Sequence, residues 1–554
     1  MTPSLPSITL RPLRPIRWLT GLTLLIAAFV AVPILSVASN LFSPGTGDTW
    51  AHLAATLLPE YIVTSLQLCM GVGIGAALLG VGAAWLVTHM DFAWRRTFEW
   101  ALVLPLAMPA YVMAYTYTDL LQFAGPVQSA LRETMGWGRA DYAFPEVRST
   151  FGAVLMFASV LYPYVYMLAR SAFLERGGGV MEAGRSLGLT PWRSFVRVSL
   201  PMARPAIAAG VALALMETLA DYGTVSYFGV QTFTTGIYRA WFSLGDRAAA
   251  AQLSMCLLGF VLLVLALEQA SRGRAQFHGS GLRRQPPRGP RLTGWRAGAA
   301  IAACSVPLLV GFGVPCGVLL RMALTEGDAQ FGARFFELAR NSLLVSSLTA
   351  AFAVGLAVLV AYARRLDPGP ASRLAHWTAG MGYALPGSVI AVGVLIPVAR
   401  LDNMLVQWLH ASFGWQGGLL LTGSIAALVF ACLVRFLASA LQTVDAALHR
   451  VTPHMDDAAR SLGLTPAGAL RRVHVPLLRR GLLTAGLLVF IDVMKELPAT
   501  LVMRPFNFDT LATQAYRLAT DERLAEASTA SLAIVVVGLL PLVVLCRQIA
   551  KDQP

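Results

Sequence analysis

The sequence predicts an all-α polytopic membrane protein of about twelve spans, built as two homologous parallel repeats of six. Three observations carry that expectation. Of 554 residues, 56% are hydrophobic and only 13% charged, against roughly 25% charged in a soluble chain. Apolar runs long enough to cross a bilayer, roughly 20 residues each, recur from end to end. The second half of the chain then repeats the first at a nearly constant offset.

The first six runs lie near Trp18–Ser39, Tyr61–Met90, Phe98–Leu121, Phe151–Phe173, Ala206–Phe228 and Ala250–Ala270. The second six lie near Trp295–Leu324, Asn341–Ala363, Leu374–Ala399, Leu419–Leu441, Gly481–Met503 and Ala527–Leu545. The first run has a basic flank but is long for a signal peptide and is followed by many others, so it reads as a retained span. Between the sets, Gly279–Thr293 is rich in Gly, Pro and Arg, the composition of a linker. The expected organisation is a first transmembrane domain over 1–270, a cytoplasmic linker over 271–294 and a second transmembrane domain over 295–554.

The net charge is +14, and 43 residues are basic. Such a balance raises nucleic acid as a partner. Here, however, the arginines sit in short segments between apolar runs, as in cytoplasmic membrane loops, and no nucleic-acid partner is expected. Arg11, Arg14 and Arg17 precede the first run. Arg272, Arg274, Arg283, Arg284, Arg288, Arg291 and Arg296 fill the break, and neither segment contains an acid. Both segments, and both termini, are therefore expected in the cytoplasm, with membrane lipid around the runs.

Cys69, Cys256, Cys304, Cys316, Cys432 and Cys546 all lie in or beside apolar runs, and none forms a CxxC pair. They read as small packing residues rather than a disulfide or zinc framework. The eight histidines make no HExxH spacing.

The repeat is explicit in the residues. Met181–Leu189 reads MEAGRSLGL and Asp456–Leu464 reads DDAARSLGL. Gly188 pairs with Gly463 and Pro201 with Pro476, both 275 apart; Pro109 and Pro386 are 277 apart; Tyr238-Arg239 and Tyr516-Arg517 are 278 apart. Duplicated halves are typical of transporters. The segments Glu182–Pro201 and Asp457–Pro476 each predict a helix-turn-helix elbow. A glycine, Gly188 or Gly463, suits the C′ position of the first helix. Thr190 or Thr465 then N-caps the next helix, with a proline at its first position. Leu187, Leu189, Leu462 and Leu464 would be apolar knobs needing a partner groove.

These two segments resemble the cytoplasmic loop of ATP-binding-cassette importer permeases, Glu-Ala-Ala, three residues, Gly, nine residues, Ile-x-Leu-Pro. Glu182, Ala183, Gly188, Val198, Leu200 and Pro201 fall in register, as do Asp457, Ala458, Ala459, Gly463, Val473, Val475 and Pro476. Departures are mild: Gly184 for Ala, Asp457 for Glu, Val475 for Leu. The resemblance implies a type I importer permease fold in the bacterial inner membrane. It makes Glu182, Ala183, Gly188, Leu189, Pro201, Asp457, Ala458, Gly463, Leu464 and Pro476 the coupling residues. The chain has no GxxxxGK[ST] phosphate loop, so it is not an enzyme by itself. A dimer of ATPase subunits, carrying ATP and Mg, and a periplasmic binding protein are implied as partners. The chain itself is expected to bind no cofactor.

Over nearly its whole length the chain also resembles the ferric-iron branch of these permeases, most visibly in Glu217–Leu253 and Asp492–Ser528. That implies a ferric-ion-binding protein as the delivering partner. The residues offer an argument beside it. Glu217 and Asp221 are spaced i,i+4 on the fifth run, Asp492 and Glu496 on the eleventh, and the pairs are 275 apart. Each pair shares a helix face. A charge at membrane depth costs at least about 2.5 kcal/mol, so each acid needs a partner or a water-filled path. Fe3+ is a hard cation that favours oxygen donors, and Tyr222 and Tyr227 are further oxygen donors nearby. Two readings stay open. The four acids line a translocation path with transient Fe3+ contact and no high-affinity metal site, or they bond backbone, Lys495 and Arg504 to hold helices together. Thiamine, polyamine or sulfate permeases of the same class, and an ion-coupled secondary transporter, are the rival functions.

Three smaller expectations complete the reading. Pro109 and Pro386 kink or hinge the third span of each half. Arg170 and Arg435 snorkel from the ends of their spans. Tyr162, Tyr164 and Tyr166 form an interfacial belt.

Overall fold

The structure, a computed structural model, describes residues 17–40, 47–186, 190–272, 291–325, 332–414, 416–449 and 451–551. Among them the chain is all-α, with a single isolated bridge between Asp91 and Arg291 as its extended pairing. Nine described helices are long and apolar enough to cross a membrane. A helix pair bent by 91°, Arg95–Ala107 with Ala110–Met135, is together long and apolar enough for a broken span or a re-entrant loop. The last two predicted positions hold the helices Val475–Met494 and Leu524–Lys551. The first of these carries Arg479, Arg480 and Asp492; the apolar stretch of the second is Leu524–Leu540. The protein is thus a multi-pass membrane protein.

Prolines punctuate this pattern in two ways. Pro109 and Pro386 stand immediately before the helices Ala110–Leu121 and Gly387–Phe413. A proline offers no N–H to the preceding helix and drives the residue before it out of helical geometry; Met108 is extended, at φ −89° and ψ 117°. The third and ninth runs therefore break here rather than bend gently. Elsewhere the helix widens. Wide π turns occupy Arg239–Ser243 and, ahead of prolines, Phe195–Ser199, Leu309–Gly313 and Leu470–His474. Each of the last three is followed two residues later by a proline, Pro201, Pro315 or Pro476. The missing proline N–H and the ring's pressure on the preceding turn favour the wider i→i+5 pattern. The first and third of these proline-linked turns are repeat equivalents at the offset of 275.

The chain divides into two compact units. The smaller comprises the start of the first span, Ser347–Tyr383 and Cys432–Phe490. Leu19, Tyr362 and Ala363 pack there with Leu359, Leu366 and Leu470. The larger comprises Pro33–Ser346, Ala384–Ala431 and Ile491–Pro554. Its core includes Tyr61, Phe233, Ile237, Leu253, Leu257 and Val389. Lipid tails are as apolar as leucine, so close packing and hydrogen bonds, not water exclusion, hold such helices together. The helix Leu58–His89 shows this. Gly71 and Gly75, spaced GxxxG, face Val154 and Ala158 of the helix Thr150–Ser186; a Cβ at Gly75 would lie 2.8 Å from that of Ala158.

Two expectations are corrected by this packing. Arg170 does not snorkel: it is 8% exposed and pairs with Glu99 at 3.2 Å, while Glu99 also meets Arg95 at 3.5 Å. A paired charge tolerates depth that an isolated one does not. Arg435 is likewise buried, its guanidinium over the Phe436 ring at 5.1 Å. Tyr162 and Tyr166 are not a belt, for both are fully buried, and the Tyr166 hydroxyl donates to the Glu99 carbonyl at 3.0 Å.

Candidate functional site

The second elbow is built from the helices Pro453–Ser461 and Pro466–Ala469, then the π turn Leu470–His474. Gly463 adopts φ +77°, the left-handed conformation that ends a helix at lowest cost in glycine. The Thr465 hydroxyl accepts from the Gly468 N–H at 3.2 Å, with Pro466 at the first helical position. Leu462 is 80% exposed, Leu464 half-buried, and Asp457 pairs with Arg460 at 3.6 Å. Ala458 and Pro476 are exposed. A polar hub holds this elbow. Arg365 donates to Asp456 through Nε at 2.9 Å and Nη2 at 2.7 Å, and to the carbonyls of Leu448 and Val451 at 3.1 and 2.8 Å. It thereby caps the end of the helix Ile425–Leu448, whose last carbonyls lack partners within the helix. His474, wholly buried, sets Nε2 2.7 Å from the other Asp456 oxygen. The Tyr362 ring packs on His474, and its hydroxyl donates to the Pro466 carbonyl at 2.8 Å.

The first elbow is held by aromatic rings. Trp85, the repeat equivalent of Tyr362 at an offset of 277, meets Trp192 edge-on at 5.9 Å and Phe195 at 4.8 Å. Phe173 packs on Phe195, and His89 on Phe173. The preceding helix, Thr150–Ser186, runs unbroken from the fourth span. The Thr190 hydroxyl accepts from the Arg193 N–H at 3.4 Å. Pro201 is exposed in the first turn of Leu200–Ala220. Leu187, Gly188 and Leu189, and the side chains of Glu182 and Ala183, lie outside the described residues.

The fifth and eleventh runs are not continuous helices. Leu200–Ala220 stops at Asp221, and Gly223–Tyr227 follows; Val475–Met494 stops before Lys495, and Pro498–Met503 follows. The carboxylates make these breaks. Asp221 accepts from the Thr224 N–H at 2.8 Å, the Thr224 hydroxyl at 3.2 Å and the Val225 N–H at 3.4 Å. Glu496 accepts from the Ala499 N–H at 2.8 Å, the Thr500 N–H at 2.9 Å and the Thr500 hydroxyl at 2.7 Å. Each acid takes the N–H groups three and four residues on, which would otherwise be orphaned at a helix start. Irregular backbone at membrane depth persists only where protein or a water-filled cavity surrounds it.

The other two acids lie one turn earlier and behave differently. Asp492 pairs with the Lys495 ammonium at 3.1 Å. Glu217 and Tyr164 also act electrostatically on Lys495. Tyr111 stands between the breaks: it interacts with both Asp221 and Glu496, and a Cβ on Gly223 would meet Tyr111 and Leu497. The repeats exchange hydrogen bonds here. The Tyr238 hydroxyl donates to the Pro498 carbonyl, and its counterpart Tyr516 bonds Ser226 at 3.0 Å. Tyr222 stacks on Tyr238 at 3.7 Å, while the Tyr227 hydroxyl accepts from Arg148 at 3.3 Å. Matching capping boxes, Thr232 with Thr235 and Thr510 with Thr513, start the next helix of each repeat. Among the described residues, no group of three or more His, Cys, Asp or Glu side chains is placed to hold a metal ion.

Sequence reasoning missed Asp402. It is wholly buried and accepts from the N–H groups of Leu420, Leu421 and Thr422 and from the Thr422 hydroxyl at 2.7–3.1 Å. A lone acid amid the apolar residues of Gly387–Phe413 was the signal for it.

A family model described as binding-protein-dependent transport system inner membrane component matches residues 76–274. The chain is 26% identical over 549 residues to the Fe(3+)-transport system permease protein FbpB 2 of Haemophilus influenzae, covering 98% of this chain and 100% of that one. It is 23% identical to the ferric transport system permease protein FbpB of Actinobacillus pleuropneumoniae, covering 90% of this chain and 73% of that one. The sulfate transport system permease protein CysW of Escherichia coli is 28% identical over a shorter stretch, 39% of this chain and 72% of its own. The family model spans the first elbow and the broken fifth run, and the similarity to the Haemophilus influenzae protein continues through the second half. Residues 76–274 thus match the family of binding-protein-dependent transport system inner membrane components, and the chain as a whole is similar to ferric transport permeases.

Proposed function

We propose that the chain is the fused permease subunit of an ATP-binding-cassette importer moving ferric iron across the bacterial inner membrane. One observation carries the substrate: the relative matched end to end, both halves included, is named an Fe(3+) permease, whereas the sulfate permease is matched over 39% of this chain. The two halves, 1–270 and 295–554 joined by 271–294, each contribute one elbow. With both termini cytoplasmic, each elbow faces one subunit of a separate ATPase pair, which holds ATP and Mg. The chain itself hydrolyses nothing.

A ferric-ion-binding protein docks at the opposite, periplasmic end. Closure of the ATPase pair draws the elbows together, opens the path outward and receives the ion; hydrolysis resets it. Glu217, Asp221, Asp492 and Glu496 line the route as transient oxygen contacts for a hard cation. Asp221 and Glu496 additionally hold the helix breaks that shape it.

The test is energy-dependent uptake of labelled ferric iron in cells lacking the chain, complemented with wild type or with Gly188→Asp/Gly463→Asp. Uptake restored by wild type alone, with the variant present in the membrane, supports the proposal. Undiminished iron uptake without the chain, in cells with no other ferric route, removes iron as the cargo and turns the assay to thiamine, polyamines and sulfate.

A further inference from the structure

Of the two lysines in this chain, Lys495 is the one within a membrane run; 41 of the 43 basic residues are arginine. It occupies the break of the eleventh run, and its repeat equivalent, 275 residues earlier, is Ala220. Its ammonium lies 3.1 Å from Asp492 and acts also on Glu217, and those two acids are themselves repeat equivalents. A single lysine thus offsets half the charge of a pair of acids contributed by both halves. The side chains of Lys495 and Asp492 remain 28% and 24% exposed on the protein.

The choice of lysine has a chemical meaning. A guanidinium would engage a carboxylate as a planar two-pronged fork. An ammonium is a compact point charge on a flexible stem, and it resembles a bare metal ion more closely. The cluster of Glu217, Asp492 and Lys495 carries a formal charge of −1, so exchanging the ammonium for a cation of higher charge is electrostatically favourable. An anion finds no such advantage.

We infer that Lys495 is a tethered counter-cation, paired with Asp492 at rest within electrostatic reach of Glu217 and displaced by the travelling ion, so that it selects for cations of high charge. This rests on the importer reading above and adds to it the residue that discriminates between cargoes. Asp221 and Glu496 are outside the exchange because backbone and threonine donors already occupy them.

The test uses the full chain, purified in detergent, with Tb3+ alone as a hard trivalent probe whose emission is sensitised by nearby tyrosine, here Tyr164. Lys495→Met should bind Tb3+ at about tenfold lower concentration than wild type, and adding Glu217→Gln and Asp492→Asn should remove the gain. A Lys495→Met protein that elutes and melts as wild type yet shows no shift overturns the inference. Lys495→Arg guards against a methionine variant that fails to fold. A lysine that merely holds helices together tolerates arginine, and wild-type uptake by that variant overturns the inference. A displaceable ion predicts uptake reduced by about tenfold or more. Failure of the iron reading looks different: wild type takes up no iron while the Tb3+ shift persists.

Discussion

The two elbows occupy equivalent positions in the repeats and share a motif, yet they are held by opposite chemistry. In the first, Trp85 reaches into a ring cluster with Trp192 and Phe195. In the second, the equivalent Tyr362 packs on His474 within an ionic hub around Asp456. The difference follows from the chain just before each elbow. The helix Thr150–Ser186 continues from the fourth span to the first elbow without a break. Thr452-Pro453 interrupts the second, and the exposed end of Ile425–Leu448 needs a donor that Arg365 supplies. A duplicated motif thus keeps its residues while its support is free to change.

That contrast can be broken. Arg365→Ala strips Asp456 of its guanidinium partner and the Leu448 and Val451 carbonyls of a side-chain donor. Breaking a buried charge pair costs about 3–5 kcal/mol, and the partial exposure of this one, 18% and 27%, sets the expectation near about 3 kcal/mol or a little above. Hydrogen exchange across 453–474 should rise sharply while 190–199 stays protected; equal loosening of both segments would mean the hub is not local. Trp85→Ala should produce the mirror image, loosening 190–199 by about 3 kcal/mol and sparing 453–474. Trp85→Tyr, which copies the second repeat, should recover part of that loss. The smallest effect sharpens the comparison. Gly463→Ala has open space for its methyl but a φ of +77°, so it should destabilise the second elbow by about 1 kcal/mol. A thermal melt unchanged by this substitution would mean the turn relaxes to another conformation.

The broken spans were less legible than the elbows. Glu217, Asp221, Asp492 and Glu496 stood out as two symmetric i,i+4 pairs, and the spacing treated them alike. The structure separates them: Asp221 and Glu496 take backbone N–H groups, while Asp492 and Glu217 address Lys495. Spacing shows which face a residue shares, but the residue's partner depends on where the helix stops. Three of the four π turns among the described residues were readable in principle, since each precedes a proline at one fixed distance; the fourth, Arg239–Ser243, does not. Arg170 was misread because its partner Glu99 is 71 residues away.

Composition, the recurrence of apolar runs and the offset repeat determined the fold class, the order of the helices and the positions of both elbows, because hydropathy, glycine and proline act locally. Only the tertiary structure decided which charges are paired. Arg365 and Asp456 are 91 residues apart, Tyr238 and Pro498 260 apart. In lipid a polar group must find its partner wherever packing brings one, and no local pattern in the chain records that meeting.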